Sequence, residues 1–373
     1  MVKLATFVHR MPLVWDHECW AAATEVSFVV AAAGGADSLA QRFWPAARAQ
    51  LLLLYAAAAF WKLNTSFLDY RTSCGTVILT QVFAAYAPPA AADLAPMVAR
   101  LAPFAAFGGE AVLPLALGLV PRVGVFLALL FHLLVVLAPA PNFAGGFSVT
   151  CASRLLLCLP WEAAACGRVS ALAVLGAALA ASLIRSAAFA IFVMMFLMTG
   201  SAILAADKGS SAGSKSTLTW PCALATFVYA IGFPVLGLQH MASCSMYANL
   251  KHYGGSNHLL VPTGLLQDAF PATFGSELLR VDEAAGLLAA QNVWTEIEPE
   301  LATNFLRAAN HSGRQFVPYY ARMGSLDAAG VALEEKNAAL PVVMPAFELR
   351  RALAQLRRLG LPGSVRYACA EDV

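Results

Sequence analysis

The chain has 373 residues, of which 60% are hydrophobic and 12% are charged, and its mean hydropathy is +0.67. Soluble domains carry about 25% charged residues, so the composition argues against a soluble protein and predicts a polytopic membrane protein. The formal net charge of +2 gives no reason to expect nucleic-acid binding.

Apolar segments make up most of the first two thirds of the chain, and a spanning helix needs about 20 mostly apolar residues. Several segments are short or are interrupted, for example at Pro103 and Pro114. We therefore expect an all-α bundle of about seven to nine spans with one or two re-entrant or interfacial pieces. The candidate segments are roughly 18–34, 43–63, 72–87, 94–107, 109–120, 122–140, 144–160, 169–187, 187–206 and 219–238.

Lys62 ends the second of these segments, directly after the run LLLLYAAAAFW at residues 51–61. A lysine at the centre of a membrane helix costs about 3 kcal/mol, so lysines at bilayer depth are rare and often functional. Two interpretations stay open. Lys62 either snorkels, with its ammonium at the interface, or lies in low-dielectric surroundings that favour its neutral form, which makes it a candidate base.

Three further polar residues lie in or beside apolar segments. Glu110 is either a helix-pairing residue or part of a proton path, with Arg122 or Arg154 as the expected ion partner. His132, in FLALLFHLLVVL, is either a buried residue bonded to a neighbouring carbonyl or a functional residue. His17 lies near an expected interface and is a further candidate functional residue.

The character of the chain changes after a polar linker at residues 207–219. Beyond about residue 239 the chain holds most of its acidic residues and no apolar run of about 18 residues. We therefore predict a transmembrane helix bundle at 1–238 and a C-terminal extramembrane domain at 239–373.

The C-terminal domain is expected to be small and of mixed α/β structure. Residues 278–291 have the composition of a soluble segment, and 345–360 have apolar residues at helical spacing, followed by Gly360 as a stop signal. Short apolar stretches at 257–263 and 314–323 are candidate strands.

No metal site is predicted from this sequence. The eight cysteines form no CxxC pair, and His240, His252 and His258 have no spacing typical of metal ligands. Walker and HExxH motifs are also absent from the sequence, which argues against ATP-driven transport and against zinc-protease chemistry.

Several segments resemble, in the same order, parts of the vitamin K-dependent γ-glutamyl carboxylase and its bacterial HTTM relatives. VWDHECW at 14–20 resembles the segment that supplies an active-site histidine, with His17 favoured and Glu18 as the alternative register. FWKLNTSFLD at 60–69 resembles the segment that supplies the active-site lysine. The other matching segments are EAVLPLALGLVPRVG (110–124), LLFHLLVVL (129–137), FAGGFSVTCASRLLLCLP (143–160) and CSMYANLKHYGGSNHLL (244–260).

This resemblance implies an integral membrane enzyme in which Lys62 is the base that deprotonates a quinol, either reduced vitamin K or another quinol. It implies that His17 or His132 stabilises the quinol anion. Two departures are visible: Trp61 stands where the family has the first lysine of a pair, and the C-terminal domain is much shorter. The shorter domain argues against carboxylation of protein glutamates.

A second hypothesis is non-catalytic. The many small residues suit close helix packing, so the bundle could serve as an accessory or assembly subunit, with membrane lipid and partner subunits as its contacts. A transporter that uses Glu110 is less favoured because the sequence shows no paired repeat halves. The sequence predicts a multi-pass location but assigns neither compartment nor orientation.

Overall fold

The computed structural model of the chain is mostly helical, with a small β-sheet near its C-terminal end. The structure describes residues 16–35, 38–70, 73–138, 145–159, 176–177, 187–205, 216–235, 244, 248, 258–261, 278–286, 342–345, 349–350, 353–354, 357–358, 360 and 363–369.

The helices of the described residues follow the expected apolar segments closely. They are α1 (Asp16–Ala33), α2 (Leu39–Trp61), the short α3 (Thr65–Leu68), α4 (Cys74–Tyr86), α5 (Ala95–Leu119), α6 (Pro121–Val136), α7 (Gly145–Leu155), α8 (Ala187–Ala205) and α9 (Thr219–Phe227). A 3-10 turn at Pro89–Leu94 precedes α5, another at Leu156–Cys158 extends α7, and α9 continues through a π-helical turn, Val228–Gly232, into Phe233–Val235.

Helix α2 lies at the centre of the bundle and packs against α1, α5 and α9. Its inward side chains, such as Leu51 and Trp61, are fully buried. Trp61 also donates from Nε1 to the carbonyl of Ala230 at 2.8 Å, inside the π-helical turn that follows α9. The end of α2 is therefore fixed both by packing and by a specific hydrogen bond.

Helix α5 runs unbroken through two positions where breaks were expected. We predicted separate segments at 94–107 and 109–120, but the helix continues through Pro103 and Pro114. Pro103 is buried and Pro114 is half-buried, and membrane helices tolerate proline where neighbours re-satisfy the freed backbone groups. At its C-terminal end, Arg48 Nη2 donates to the carbonyls of Leu117 and Gly118 at 3.1 and 3.2 Å, which places a cation at the negative end of the helix dipole.

Within the described residues, two helical stretches are long and apolar enough to cross a membrane, Leu39–Trp61 and Pro89–Leu119. Shorter apolar helices occur at Cys74–Tyr86, Pro121–Val136, Gly146–Cys158, Phe189–Leu204 and Thr219–Val235. The expected segment at 169–187 lies almost wholly outside the described residues. The structure thus shows a mostly helical protein with two helices that are long and apolar enough to cross a membrane.

The described C-terminal strands form an antiparallel three-stranded sheet in the order β2-β1-β3. They are β1 (Leu278–Gly286), β2 (Val342–Pro345) and β3 (Gly363–Cys369), with an irregularity in β1 between Val281 and Glu283.

Two of the expected C-terminal elements can be compared with the structure. Of the stretch expected as a strand at 257–263, the structure describes residues 258–261, in which His258 forms an isolated bridge with Asn64. Residues 349–350, 353–354 and 357–358 of the predicted helix at 345–360 are helical, whereas Pro345 ends strand β2. Gly360 follows with φ +63°, which fits its role as a stop signal. The candidate strand at 314–323 lies outside the described residues.

Candidate functional site

The site is built at the C-terminal end of α2. Lys62 follows the last helical residue, and its backbone N–H still donates to the carbonyls of Ala59 and Phe60. Asn64 then caps the short helix α3, because its side-chain oxygen accepts from the Phe67 N–H at 2.8 Å. The lysine is therefore held in a tight turn between two helices, and its side chain folds back along α2.

Lys62 forms an ion pair with Glu110 in the middle of α5. The distance from Lys62 Nζ to Glu110 Oε2 is 2.6 Å, and the two side chains are only 8% and 10% exposed. Lys62 Nζ also lies 3.5 Å from the Ala58 carbonyl and 5.6 Å from the centre of the Phe67 ring, within the range of a cation–π contact. A buried ammonium is thus surrounded by a carboxylate, a carbonyl and an aromatic face.

The ion pair borders a cavity of about 200 Å³. Its wall is almost entirely apolar and comes from α2, Phe67 of α3, α4, α5, α6 and Phe147 of α7, together with Cys244. Leu54, Ile78 and Phe131 are typical of its lining. An apolar cavity with a few convergent polar groups is the usual form of a small-molecule site.

A second polar pair lies in the same wall. Tyr55, two helical turns before Lys62, lines the cavity, and its hydroxyl lies 2.7 Å from Nε2 of His132 on α6. His132 is completely buried and packs against the rings of Phe131 and Phe147. His132 is not among the described residues that line the cavity, and the hydrogen bond to Tyr55 connects it to one that does.

The turn that follows Lys62 is joined to the beginning of the C-terminal part of the chain. Asn64 Nδ2 donates to the carbonyls of Trp61 and Ala248 at 2.8 and 2.6 Å, and the Leu259 N–H donates to Leu63 O at 3.0 Å. His258 Nε2 lies 2.8 Å from the Phe60 carbonyl. These bonds fix the turn carrying Lys62 from both sides.

The bonds of His258 define its protonation state. A carbonyl can only accept, so Nε2 carries a proton, while Nδ1 accepts from the N–H groups of Leu260 and Val261 at 3.1 Å each. Protonating Nδ1 would remove that acceptor. Burial lowers the pKa of His258 below its ordinary value of 6.5, and the bond to the Phe60 carbonyl acts in the opposite direction.

We expect this junction to weaken in acid. Because the pKa of His258 is lower in the folded protein, its contribution to stability is complete above about pH 6.5 and is lost as the pH falls through the folded-state value. The melting temperature should therefore fall more between pH 7.5 and pH 5.5 for the wild type than for His258→Gln. Equal acid sensitivity in the two proteins would contradict this assignment.

The structure places the residues expected to be functional in different surroundings. It brings Lys62 to the cavity and connects His132 to it through Tyr55. His17 lies instead against α7, where a Cβ at Gly146 would approach its Nε2 to 3.2 Å. Among the described residues that line the cavity, His17 does not occur.

The sequence-based predictions were wrong about the ion partner of Glu110, and they did not include Tyr55. Arg122 or Arg154 was the expected partner of Glu110, but the structure gives it Lys62. Tyr55 was not singled out, although its spacing of seven residues from Lys62 places both on one face of a helix. Among the described residues, no group of three or more His, Cys, Asp or Glu side chains converges in a way that could hold a metal ion.

Comparison with known protein families matches residues 256–371 to DUF8388, a domain of unknown function. The matched residues include His258 and all three strands of the sheet. No curated protein and no solved structure matches the chain.

The resemblance to the vitamin K-dependent carboxylase and HTTM family is wrong, because no model of that family matches the chain. The segments that suggested it are short runs of Leu, Ala, Phe and Pro around single polar residues. Such runs recur in unrelated apolar helices, so their order along the chain carried little information. Site roles assigned through that resemblance therefore lose that support.

Proposed function

We propose that this chain is a multi-pass membrane enzyme that binds a lipophilic hydroxyl compound of the phenol or quinol class and removes its hydroxyl proton through Lys62. The observation that carries the proposal is the Lys62–Glu110 ion pair at 2.6 Å in the wall of an apolar cavity. Ionisable groups inside membrane helices are costly and usually mark functional sites.

Exposed apolar surface supports the multi-pass arrangement. Leu119, Leu204 and Trp220 are 81%, 89% and 82% exposed and lie on three different helices. Further exposed apolar side chains on α1, α5 and α6 include Val30, Leu101, Phe104, Leu115 and Phe126. Soluble monomers rarely expose apolar patches larger than a few hundred Å², whereas lipid covers such faces at no cost.

The cavity indicates the size and chemistry of the ligand. Its volume of about 200 Å³ exceeds the roughly 150 Å³ of an apolar protein cavity that holds benzene, so one substituted ring fits. The apolar wall favours a hydrocarbon ring, and the ion pair offers both a donor and an acceptor to a ligand oxygen. A phenol or quinol head group has this combination of properties.

The ion pair can supply a base without changing its net charge. Transfer of a proton from Lys62 Nζ to Glu110 Oε2, across 2.6 Å, converts the pair into a neutral amine and a neutral carboxylic acid. The amine then accepts the ligand's hydroxyl proton, and the resulting ammonium stabilises the phenolate or quinolate beside it.

Quinol oxidation by oxygen gives a direct assay, because the quinolate is the more readily oxidised form. Quinol and O₂ give quinone and H₂O₂, which conserves atoms and electrons. With tert-butylhydroquinone and the purified full chain in lipid nanodiscs, we expect oxygen uptake above the protein-free rate. Lys62→Met should reduce the protein-dependent rate by about 100-fold or more, the usual contribution of general acid–base catalysis.

Arg100→Gln is the matched control, because Arg100 is an exposed charge on α5, the helix that carries Glu110. This variant should keep the wild-type rate. Equal rates in folded wild type and Lys62→Met would contradict the proposal. No protein-dependent uptake would instead favour an accessory or assembly subunit, whose partners would cover the exposed apolar faces of α5 and α6.

A further inference from the structure

The positive charges of the C-terminal domain are concentrated in one segment. Residues 349–370 contain five arginines and no acidic residue, whereas residues 256–348 contain five basic and eleven acidic residues. Four of the five arginines fall within nine residues, and they are Arg350, Arg351, Arg357 and Arg358. The part of the chain that matches DUF8388 therefore carries one positive segment in an otherwise acidic sequence.

This segment follows strand β2 and leads into strand β3. Both strands pair antiparallel with β1, which lies between them in the sheet. β2 and β3 are therefore parallel to each other, so the chain that joins them, from Pro345 to Gly363, is a crossover connection over one face of the sheet. Residues 349–350, 353–354 and 357–358 of this connection are helical.

Burial divides the helical residues of the connection into two faces. Leu349 is only 2% exposed and Leu353 is half-buried. The exposed side chains are those of Arg350, Ala354, Arg357 and Arg358. Their spacings of four, three and one residues place them together on one face of a helix. The leucines thus face the protein, and Arg350, Arg357 and Arg358 form an outward basic face.

The two faces indicate how this helix can contact a membrane. An amphipathic helix that inserts into a bilayer does so with its apolar face, but here that face is used within the protein, since Leu349 is buried. The basic face can instead bind headgroup phosphates, which arginine binds with two parallel N–H donors. A guanidinium has five N–H donors, so an exposed arginine can bind a phosphate and keep a bond within the protein.

The domain begins at the end of a helix that is long and apolar enough to cross a membrane. His258 Nε2 bonds the Phe60 carbonyl, and His258 forms a bridge with Asn64, directly after α2. β1 begins 17 residues after Val261, a stretch that reaches at most about 60 Å. The sheet is therefore tethered close to one end of α2, and tethering makes weak contacts with a nearby surface effective.

We propose that the basic face binds the anionic phospholipid headgroups of the membrane that holds the helix bundle. Clusters of four or more arginines or lysines on an amphipathic helix beside a membrane span are typical of surfaces that bind anionic lipid. The acidic remainder of the domain is repelled by the same lipid, so the domain docks with its basic face toward the bilayer. This proposal requires the membrane placement of the bundle and is independent of the chemistry at Lys62.

Energy transfer between the domain and the bilayer measures this docking. In the full chain, a fluorescent amino acid replaces Ser364, which is exposed on β3 and lies outside the basic face. Headgroup-labelled lipid in the nanodiscs is the acceptor. Transfer should be higher in nanodiscs that contain phosphatidylserine than in nanodiscs of phosphatidylcholine alone. High salt should remove this difference, because salt screens exposed charges.

The triple variant Arg350→Gln/Arg357→Gln/Arg358→Gln removes the basic face. It should lower the ratio of docked to free domain on anionic nanodiscs by about 100-fold, since each arginine near an anionic surface contributes about fivefold. Lysine at the same three positions should keep the docking, because attraction to a lipid surface depends on charge. A protein partner that recognises the arginines by their planar geometry would lose binding in the lysine variant.

Arg366→Gln is the matched control. Arg366 is also an exposed arginine of this domain, but it lies opposite Glu283 in the register of β1 and β3. Its substitution should leave the energy transfer unchanged.

The outcomes separate this proposal from the proposed function. Equal transfer in neutral and anionic nanodiscs would overturn the proposal, and so would a glutamine variant that docks like the wild type or a lysine variant that does not dock. All three results would leave the chemistry proposed at Lys62 standing. A full chain that does not insert into nanodiscs would overturn the multi-pass arrangement itself, and the lipid docking with it.

Discussion

Removing one member of the buried ion pair should destabilise the protein by about 3–5 kcal/mol, because the remaining charge is left buried without a partner. Lys62→Met and Glu110→Gln are the two single variants. Both side chains are no more than 10% exposed, so solvent screens the pair only weakly. The free energy of unfolding, measured by denaturant titration in detergent, reports the loss.

The double variant Lys62→Met/Glu110→Gln separates pairing from simple truncation. It contains neither charge, so we expect it to recover much of the stability that each single variant loses, with a coupling free energy well above the error of the measurement. Arg100→Gln, on the exposed side of α5, should change stability by no more than about 0.5 kcal/mol. Strict additivity of the two single effects would show that the two residues do not interact.

The second large effect is expected at Gly124, in the first turn of α6. A Cβ at this position would overlap the backbone of Ala116 and Leu117 at the end of α5. Gly124→Ala therefore requires the two helices to separate, and we expect a loss of at least about 1–3 kcal/mol, the cost of overpacking a core. A shift of α5 would also move Glu110 relative to Lys62, so ligand affinity should fall together with the melting temperature.

Gly118→Ala is the matched control for this prediction. Gly118 lies near the end of α5, and a Cβ there would meet no atom within 4 Å. Replacing a helical glycine by alanine at an open position stabilises a helix by about 0.5–1 kcal/mol. The same chemical change should therefore act in opposite directions at the two sites. A neutral or stabilising effect of Gly124→Ala would contradict the close packing of α5 on α6.

The helices were largely predictable because the local sequence of each segment determines whether it forms a helix. An apolar run of about 20 residues must form its backbone hydrogen bonds within itself when it lies in lipid, so its length and composition predict a helix. The expected segment at 43–63 and helix α2 at Leu39–Trp61 illustrate this. The expected breaks at Pro103 and Pro114 do not occur. Whether a helix continues through a proline depends on how neighbouring helices pack against it, and a local stretch of sequence does not contain that information.

The site was only partly predictable for the same reason. Lys62 and Glu110 stand out as charges in apolar surroundings, but their pairing depends on how α2 packs against α5. In the sequence, Tyr55 cannot be distinguished from an ordinary aromatic residue of the core, since buried tyrosines are common in apolar helices. Its distinguishing partner, His132, lies 77 residues away. A β component of the C-terminal domain was expected, but the positions of its strands were not predicted, because β1 takes its partners from strands far along the chain.

Photolabelling of the cavity is the most direct test of the central claim, that the space beside Lys62 and Glu110 binds a lipophilic hydroxyl compound. A phenol carrying a trifluoromethyl-diazirine group is irradiated with the full chain in nanodiscs, and labelled peptides are identified by mass spectrometry. We expect labelling of cavity residues such as Ala58, Ile78 and Ala106, and we expect excess tert-butylhydroquinone and the Lys62→Met substitution each to reduce it. Labelling that is confined to the exposed faces of α5 and α6, and that neither tert-butylhydroquinone nor Lys62→Met changes, would contradict ligand binding in the cavity.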